Sequence, residues 1–225
     1  MLNFTNALPR YNGPFTNTPP RCGGPSNQLP IVGGGFANTP PSVGGCPMSP
    51  VDMNSVNFGI FGSDFQAGFG GFGNDTVYQR GFWGNDIQGA FGGFGNDFVG
   101  QRGGRGHDTQ AAFGGDGNDT IFQRGGRGND RTFASGGAGD DRFDLGVVRG
   151  KNQAYLDGGE GNDSATIRAG KNVTVMDSQG QVIYQRGNGG SVVTVNSIED
   201  LTVVGRRGRT LYDSNAQENS LNVLA

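Results

Sequence analysis

The chain has 225 residues, and 45 of them are glycine, one in five, where average usage is about 7%. Only 33% of the residues are hydrophobic and 16% are charged, which excludes both a conventional apolar core and a strongly self-repelling disordered chain. The net charge of −3 argues against a general affinity for nucleic acid, and we expect no membrane span because no run of about 18 apolar residues exists. Glycine is unfavourable in helix interiors, and a collagen helix would need glycine at every third position, which this sequence does not show. The composition therefore favours closely stacked backbone in a repeat architecture.

Residues 1–53 are rich in Pro, Gly, Asn and Thr and contain a short duplication, FTNTPP at 15–20 and FANTPP at 36–41. Repeated X-Pro steps favour extended backbone, so this segment is predicted to be either an arm that docks on a surface or a flexible linker. Cys22 and Cys46, the two cysteines of the chain, lie in it. They either form one disulfide or remain two free thiols.

Residues 54–166 follow an eleven-residue repeat whose blocks end in Asp. The Asp positions are Asp64, Asp75, Asp86, Asp97, Asp108, Asp119, Asp130, Asp141 and Asp163. Asn152 stands at the one position where the series lacks Asp. The fifth residue of each block alternates between aromatic and Arg, which adds a period of 22 and indicates two blocks per turn. The pattern predicts an all-β fold, a right-handed parallel β-roll or β-solenoid of five turns with a strand and a glycine-rich corner in each block.

Strands such as TVYQR (76–80) place their second and fourth residues inward, because the fifth residue is Arg and belongs in solvent. The predicted core is thin and has an aliphatic half and a glutamine half. In the aliphatic half Val77, Val99 and Ile121 face Gly68, Ala90 and Ala112. In the other half Gln66, Gln88 and Gln110 face Gln79, Gln101 and Gln123, with amides bonded along the stack.

Stacked corners place the carboxylates in two rows that would repel one another, and a cation between them would reverse that repulsion. Asp and carbonyl oxygens without systematic His or Cys suit Ca²⁺ and exclude Zn²⁺. We expect the glycines, and the Asn that precedes most of these Asp residues, to adopt left-handed backbone that directs carbonyls at the ion. The alternative is that the Asp residues cap the turns without metal.

Seven tandem segments, among them GGFGNDTVY (70–78) and GGDGNDTIF (114–122), resemble the RTX, or haemolysin-type, calcium-binding repeat, whose pattern is Gly-Gly-x-Gly-x-Asp-x-apolar-x. The resemblance covers about residues 54–166 and implies a calcium-loaded parallel β-roll. It implies that the Asp residues bind calcium together with main-chain oxygens of Gly71, Gly93, Gly104, Gly115, Gly126 and Gly137. The unit of eleven residues, where the family usually has nine, and the inward Gln residues depart from the family pattern.

Residues 167–225 lack the Asp repeat but contain further strand patterns, and we expect them to form a β-strand cap. SIEDLTVVG (197–205) resembles the closing strand of many RTX proteins. The tail LYDSNAQENSLNVLA is similar to the C-terminal export signal of proteins secreted by the type I route, although a frayed terminus explains it too. Since the amino terminus lacks a cleavable signal pattern, we expect type I secretion to the cell surface or the medium.

Two outward strips are candidate interaction surfaces. Phe69, Phe91 and Phe113, with Phe72 and Phe94 on the adjoining corner, form an apolar strip. The basic strip contains Arg80, Arg102, Arg124, Arg105 and Arg127. Catalysis is not indicated, because His107, the single His, occupies a corner position and no nucleophile–base pattern exists.

The function expected from these features is that of a secreted calcium-binding structural protein that folds on Ca²⁺ and assembles with itself into a filament, surface layer or matrix. The alternative is a calcium-dependent adhesin whose Arg ladder binds acidic polysaccharide or lipopolysaccharide. RGGRG at 102–106 and 124–128 also occurs in RNA-binding segments, but those are disordered and need no Asp repeat. We therefore expect no nucleic-acid partner.

Overall fold

The computed structural model describes residues 54–60 and 62–216, with the side chain of Arg206 left out. The predicted arm, both cysteines and the end of the predicted export signal lie outside these residues. The described part is all-β, with about 3% helix, and winds as a parallel β-solenoid of about 6 turns. The all-β class and the parallel solenoid are confirmed, and the solenoid is about one turn longer than expected.

Two eight-stranded sheets form opposite walls of the solenoid. The first sheet contains, in spatial order, β1 (Asn54–Phe58), β3 (Thr76–Arg80), β5 (Phe98–Arg102), β7 (Thr120–Arg124), β9 (Arg142–Val147), β11 (Ser164–Ala169), β15 (Asp200–Val204) and β16 (Thr210–Asp213). The second contains β13 (Val182–Arg186), β12 (Val173–Asp177), β14 (Ser191–Asn196), β10 (Gln153–Glu160), β8 (Arg131–Ala138), β6 (Thr109–Asp116), β4 (Ile87–Phe94) and β2 (Phe65–Phe72). A 3₁₀ turn, Arg206–Gly208, precedes β16.

Neighbouring strands of the repeat pair residues that are 22 apart in the chain. Val77 pairs with Val99 in the first sheet, and Phe69 pairs with Phe91 in the second. Strands β2, β4, β6, β8 and β10 have eight residues each, because they continue through the Gly-Gly corner, whereas the sequence pattern predicts five.

The interior follows the predicted alternation. Val77, Val99 and Ala90 have no exposed surface, and a Cβ on Gly68 would clash with a methyl group of Val77, which places Gly68 opposite that side chain as predicted. Toward the C-terminal turns the apolar core thickens with Phe143, Leu145 and other buried residues, and it continues without a break into β14 and β15. The N-terminal turns therefore depend more heavily on polar contacts than the later ones.

The glutamine ladder is confirmed, with a second contact that the pattern does not predict. The Gln101 amide donates to Gln79 Oε1 at 2.9 Å and also to the Ala111 carbonyl on the opposite wall at 2.9 Å. Gln123 repeats this geometry one turn later. Each buried amide thus joins adjacent turns and the two sheets.

The C-terminal strands depart from simple winding. Strand β14 inserts between β10 and β12, and β13 and β16 add in antiparallel orientation at the outer edges of their sheets. SIEDLTVVG contains β15, which is the last parallel strand of the first sheet and covers β11, and the antiparallel β16 then forms the edge of that sheet.

Replacing Gln101 by Glu tests the ladder. The carboxylate cannot donate to Gln79 Oε1 or to the Ala111 carbonyl, and it leaves a charge in a fully buried position. We expect the free energy of unfolding, measured by urea denaturation, to fall by about 3 kcal/mol. The control Gln153→Glu, at an exposed position, should change it by less than about 0.5 kcal/mol. Equal effects of the two substitutions would contradict the ladder's role.

Candidate cation site in the corner ladders

The repeat Asp residues point into the solenoid rather than out of its corners, and all except Asp64 are buried. They form one row along each edge, because residues 22 apart stack. The Asp75 row contains Asp75, Asp97, Asp119, Asp141 and Asp163, and the Asp64 row contains Asp64, Asp86, Asp108, Asp130 and Asn152.

From Asp86 onward, one oxygen of each repeat carboxylate accepts a main-chain hydrogen bond from the preceding turn. The amide of Asp97 donates to Asp119 Oδ1 at 2.7 Å, and the amide of Asp119 donates to Asp141 Oδ1 at 2.7 Å. At the C-terminal end Glu199 Oε2 accepts from the amide of Asp163 at 2.7 Å, and Ser191 Oγ accepts from that of Asn152 at 3.1 Å. The Asp residues therefore cap turns, as the alternative interpretation of the sequence predicts, and each one caps the corner of the neighbouring turn.

The residue before each Asp forms a second ladder that runs the opposite way. The amide of Asn118 donates to Asn96 Oδ1, one turn earlier, at 2.7 Å. His107 replaces Asn in one turn of this ladder, and its Nδ1 accepts from the amide of Asn129 at 2.9 Å. The expectation that these Asn residues adopt left-handed backbone is wrong, because positive φ outside glycine occurs in the described residues only at Ser197 and Arg207. The position needs a side-chain acceptor, which Asn supplies in most turns and Asp140 and Ser63 supply in two others.

The second carboxylate oxygen is buried and receives no hydrogen bond in most of the repeat. This holds for Oδ2 of Asp86, Asp97, Asp119, Asp141 and Asp163. Asp108 is an exception, because its Oδ2 accepts from the Gly104 amide at 2.9 Å. A buried anionic oxygen without a donor is costly, so these atoms call for a proton or a cation.

Glycine is obligatory beside each of these oxygens. A Cβ on Gly92 would overlap Asp97 Oδ2 and would lie 2.6 Å from the Gly114 carbonyl oxygen of the next turn. Gly114 has the same relation to Asp119 Oδ2 and the Gly136 carbonyl. The first glycine of the Gly-Gly pair thus lets a carboxylate and a carbonyl from neighbouring turns approach one another.

Burial raises the pKa of these carboxyls. The pKa of Asp119 is raised to about 7, first by burial and then by the charges of Asp141 and Asp97, and the pKa of Asp141 is raised to about 6 for similar reasons. Burial also raises the pKa of Asp86, Asp97 and Asp163, in each case against the opposing effect of the main-chain hydrogen bond.

Asn152 shows how the corner accommodates a neutral side chain. Its Oδ1 accepts from the Asp130 amide at 2.9 Å, as an Asp would, while its Nδ2 donates to the Arg149 carbonyl at 2.8 Å. An electropositive atom is therefore stabilised at the position that Oδ2 occupies in an Asp.

The donor set fits calcium in its chemistry. It consists of carboxylate oxygens without hydrogen-bond donors and nearby carbonyls, all oxygen. No cluster of three or more His, Cys, Asp or Glu side chains occurs in residues 54–60 and 62–216, so carbonyls would have to complete each coordination shell. Calcium bound between turns would neutralise the carboxylate rows.

The glycines predicted as ligands all lie at these corners. Gly71, Gly93, Gly115 and Gly137 have φ values of 140°, 129°, 127° and 120°, which confirms the left-handed backbone expected for them. Gly104 and Gly126 lie at the other corner, where the Gly104 carbonyl accepts from the Arg127 amide at 2.8 Å. Their role as calcium ligands stays a prediction.

The two outward strips are placed as the sequence pattern predicts. The rings of Phe69 and Phe91 stack with centroids 5.2 Å apart, and those of Phe91 and Phe113 with centroids 4.8 Å apart. On the opposite wall Arg80, Arg102 and Arg124 are direct strand-to-strand neighbours.

No known protein family, no curated protein and no solved structure matches the chain. Within the part of the chain that the structure describes, no helix has the length and apolar character needed to cross a membrane.

The raised carboxyl pKa values predict how stability depends on pH. The pKa of these carboxyls is near 3.8 in the unfolded chain and higher in the folded chain. As pH rises past 3.8 the unfolded chain releases these protons first, so the folded state becomes less stable relative to it. In calcium-free buffer we expect the midpoint of thermal unfolding to fall as pH rises from about 4 to about 7. A midpoint that rises across this range would contradict the ladder electrostatics.

The substitution Asp119→Asn tests whether the Asp ladder is neutralised by protonation or by a bound cation. The amide keeps the acceptor for Asp97 and removes a buried charge. At pH 8 with chelator we expect the variant to be more stable than the parent by about 1–2 kcal/mol, and to gain less stability when Ca²⁺ is added.

The matched control is Asp140→Asn, in the exposed ladder where Asn118 and Asn162 already occupy the same row. It should leave both quantities nearly unchanged. If Asp119→Asn lowers the free energy of unfolding in chelator, Asp119 does not carry a destabilising buried charge.

Proposed function

We propose that this protein is a secreted calcium-binding structural protein that folds on Ca²⁺ and assembles with copies of itself into an extracellular filament, surface layer or matrix. Membership of the RTX repeat family and export by the type I route belong to the same proposal. The observation that carries the assembly is a contiguous exposed apolar surface on the second sheet.

This surface, the aromatic patch, covers the outer face of the first two turns of the second sheet. It consists of Phe65, Phe69, Phe72, Ile87, Phe91 and Phe94. Phe65 exposes 63% of its surface and Phe94 exposes 52%. Contiguous apolar surface of this kind usually marks an interaction site.

A second copy of the chain is the partner that the aromatic patch fits best. The rings stand in two columns, Phe69 with Phe91 and Phe72 with Phe94, at the strand spacing of the solenoid. A copy presents columns with the same spacing, so two patches can pack face to face like stacked sheets. The two columns end at Ser135 and Asp116, and beyond them the same face continues with Phe133 and Tyr155. The most exposed rings therefore lie in the N-terminal turns.

A route to longer assemblies lies at the same end of the solenoid. Strands β1 and β2 are the outermost described strands there, whereas antiparallel strands cover the opposite end. Parallel edge strands can extend a sheet between molecules.

Calcium dependence is supported by the buried Oδ2 atoms that lack donors and by the stacked like charges. The N-terminal turns have the thinnest apolar core and carry the aromatic patch. Removing calcium should therefore weaken the turns that assemble.

Circular dichroism and electron microscopy of the full chain, first in chelator and then in millimolar Ca²⁺, test the proposal as a whole. We expect the strand signal to rise and assemblies to appear with Ca²⁺, as the N-terminal turns fold onto the C-terminal turns with their thicker apolar core, and both changes to reverse with chelator. Folded monomers in Ca²⁺ would reject self-assembly, and an unchanged spectrum would reject calcium-dependent folding.

The double substitution Phe69→Ser and Phe91→Ser tests the aromatic patch. Serine is compatible with this row, because Ser135 occupies it two turns beyond Phe91. We expect sedimentation velocity in Ca²⁺ to show at least roughly tenfold weaker self-association, since two large apolar contacts are lost.

Phe98→Thr is the control. Phe98 is exposed on the opposite sheet, and Thr76 and Thr120 are its neighbours in the same row. It should leave self-association unchanged. Equal loss in the control, or no loss in the double variant, would rule out the aromatic patch as the interface.

A further inference from the structure

The first sheet carries a groove of about 520 Å³ that is lined by arginine and contains no acidic side chain. Its two walls are columns of Arg. The inner column contains Arg80, Arg102 and Arg124, and the outer column contains Arg105, Arg127 and Arg149. The sequence prediction placed Arg105 and Arg127 in a single basic strip with the inner column. The structure separates them into a column of their own, which Arg149 extends.

The floor between the columns is glycine. Two turns read Arg-Gly-Gly-Arg, at 102–105 and 124–127, so each contributes one Arg to either wall and two glycines to the floor. A Cβ on Gly126 would overlap the Gly104 carbonyl, which keeps the floor bare and the turns close. Guanidinium groups therefore line both sides of a straight channel that runs along the solenoid axis.

These positive charges have almost no partners in the chain. The one ion pair found in the described residues joins Asp144 to Arg168, which lines the far end of the groove beyond Gly146 in the row of the inner column. Arg124 Nε is buried and has no hydrogen-bond partner. Like charges at strand spacing are unfavourable unless an anion compensates them, and an unpaired buried donor adds to that cost.

The aromatic rings near the groove are engaged by the same arginines. The Arg80 guanidinium lies 4.2 Å from the Phe82 ring centroid, and that of Arg124 lies 4.6 Å from the Phe122 centroid. Single-stranded nucleic acids gain much of their affinity from bases stacked on successive aromatic rings. One face of Phe82 and one of Phe122 are already covered by Arg, which leaves the exposed Trp83, with the Arg105 guanidinium 6.0 Å from its ring centroid, as a single ring for a base. The groove thus favours a ligand recognised mainly by its anionic groups.

We propose that the groove between the two Arg columns binds a linear acidic polysaccharide laid along the solenoid axis, so that successive anionic groups meet guanidinium groups of successive turns. Carboxylate and sulfate groups match the planar, bidentate donors of Arg, and the regular rise of about 4.8 Å per turn favours a regularly charged chain. The aromatic patch is on the other sheet, so a self-assembled structural protein would keep this groove free to hold an extracellular glycan.

Trp83, the single Trp of the chain, lines the groove and provides the readout. Its fluorescence is titrated with sulfated dextran oligosaccharides, with neutral dextran of the same length, and with single-stranded DNA of the same charge, in the Ca²⁺ buffer used for assembly. We expect saturable binding of the sulfated chain that weakens as salt is raised, and no binding of neutral dextran.

The substitutions Arg102→Gln and Arg105→Gln remove one exposed guanidinium from each wall. We expect them together to raise the Kd for sulfated dextran roughly tenfold or more. The matched control, Arg131→Gln with Arg142→Gln, removes the same charge from exposed positions outside the groove and should change the Kd less than about twofold. Arg127→Gln with Arg149→Gln provides a second groove variant if circular dichroism shows that the first does not fold.

Self-association of the groove variants should match that of the parent, so failure of this proposal is distinguishable from failure of the aromatic interface. Unchanged affinity in both groove variants, an equal loss in the control, or binding of DNA as tight as that of sulfated dextran would each overturn the proposal.

Discussion

The structure depends on one constraint, which is that the corner amides of each turn need acceptors that the parallel strands do not supply. Asp and Asn side chains from neighbouring turns provide them, with the Asp ladder and the Asn ladder running in opposite directions. The requirement for an acceptor in every turn explains the long series of Asp at one spacing. It also brings carboxylates together inside a thin solenoid, where their second oxygens lack donors.

Electrostatics then decides how the solenoid is stabilised. Where the apolar core is thick, around Phe143 and Leu145, the ladder is assisted by hydrophobic packing. In the first turns the interior is Gln, Val, Ala and Gly, and glutamine amides hold the two walls together. Neutralisation of the carboxylate rows therefore matters most at the end that carries the aromatic patch. Metal binding, folding and assembly are coupled on this account.

Much of the fold could be predicted from the sequence, because its periods of eleven and 22 residues determine which side chains stack. The inward Val and Gln residues and the outward Phe and Arg columns follow directly from strand alternation. The direction of the Asp side chains and the opposite Asn ladder could not be predicted from the sequence, because both depend on hydrogen bonds between turns. The insertion of β14 between β10 and β12 is also a contact between distant segments that leaves no periodic signal. The basic strip predicted from the sequence already contained Arg105 and Arg127. Their separation from the inner column by a glycine floor, and the addition of Arg149, depend on the path of the corner and could not be predicted.

The central claim is that cations neutralise the buried carboxylate rows. The most direct measurement is the calcium content of the folded chain after equilibrium dialysis against micromolar Ca²⁺, determined by atomic emission, with Mg²⁺ in excess to exclude weak surface binding. The account predicts several Ca²⁺ ions per chain and fewer in Asp119→Asn. A folded chain that retains no calcium under these conditions would contradict it and would leave protonation as the means by which the ladders are neutralised.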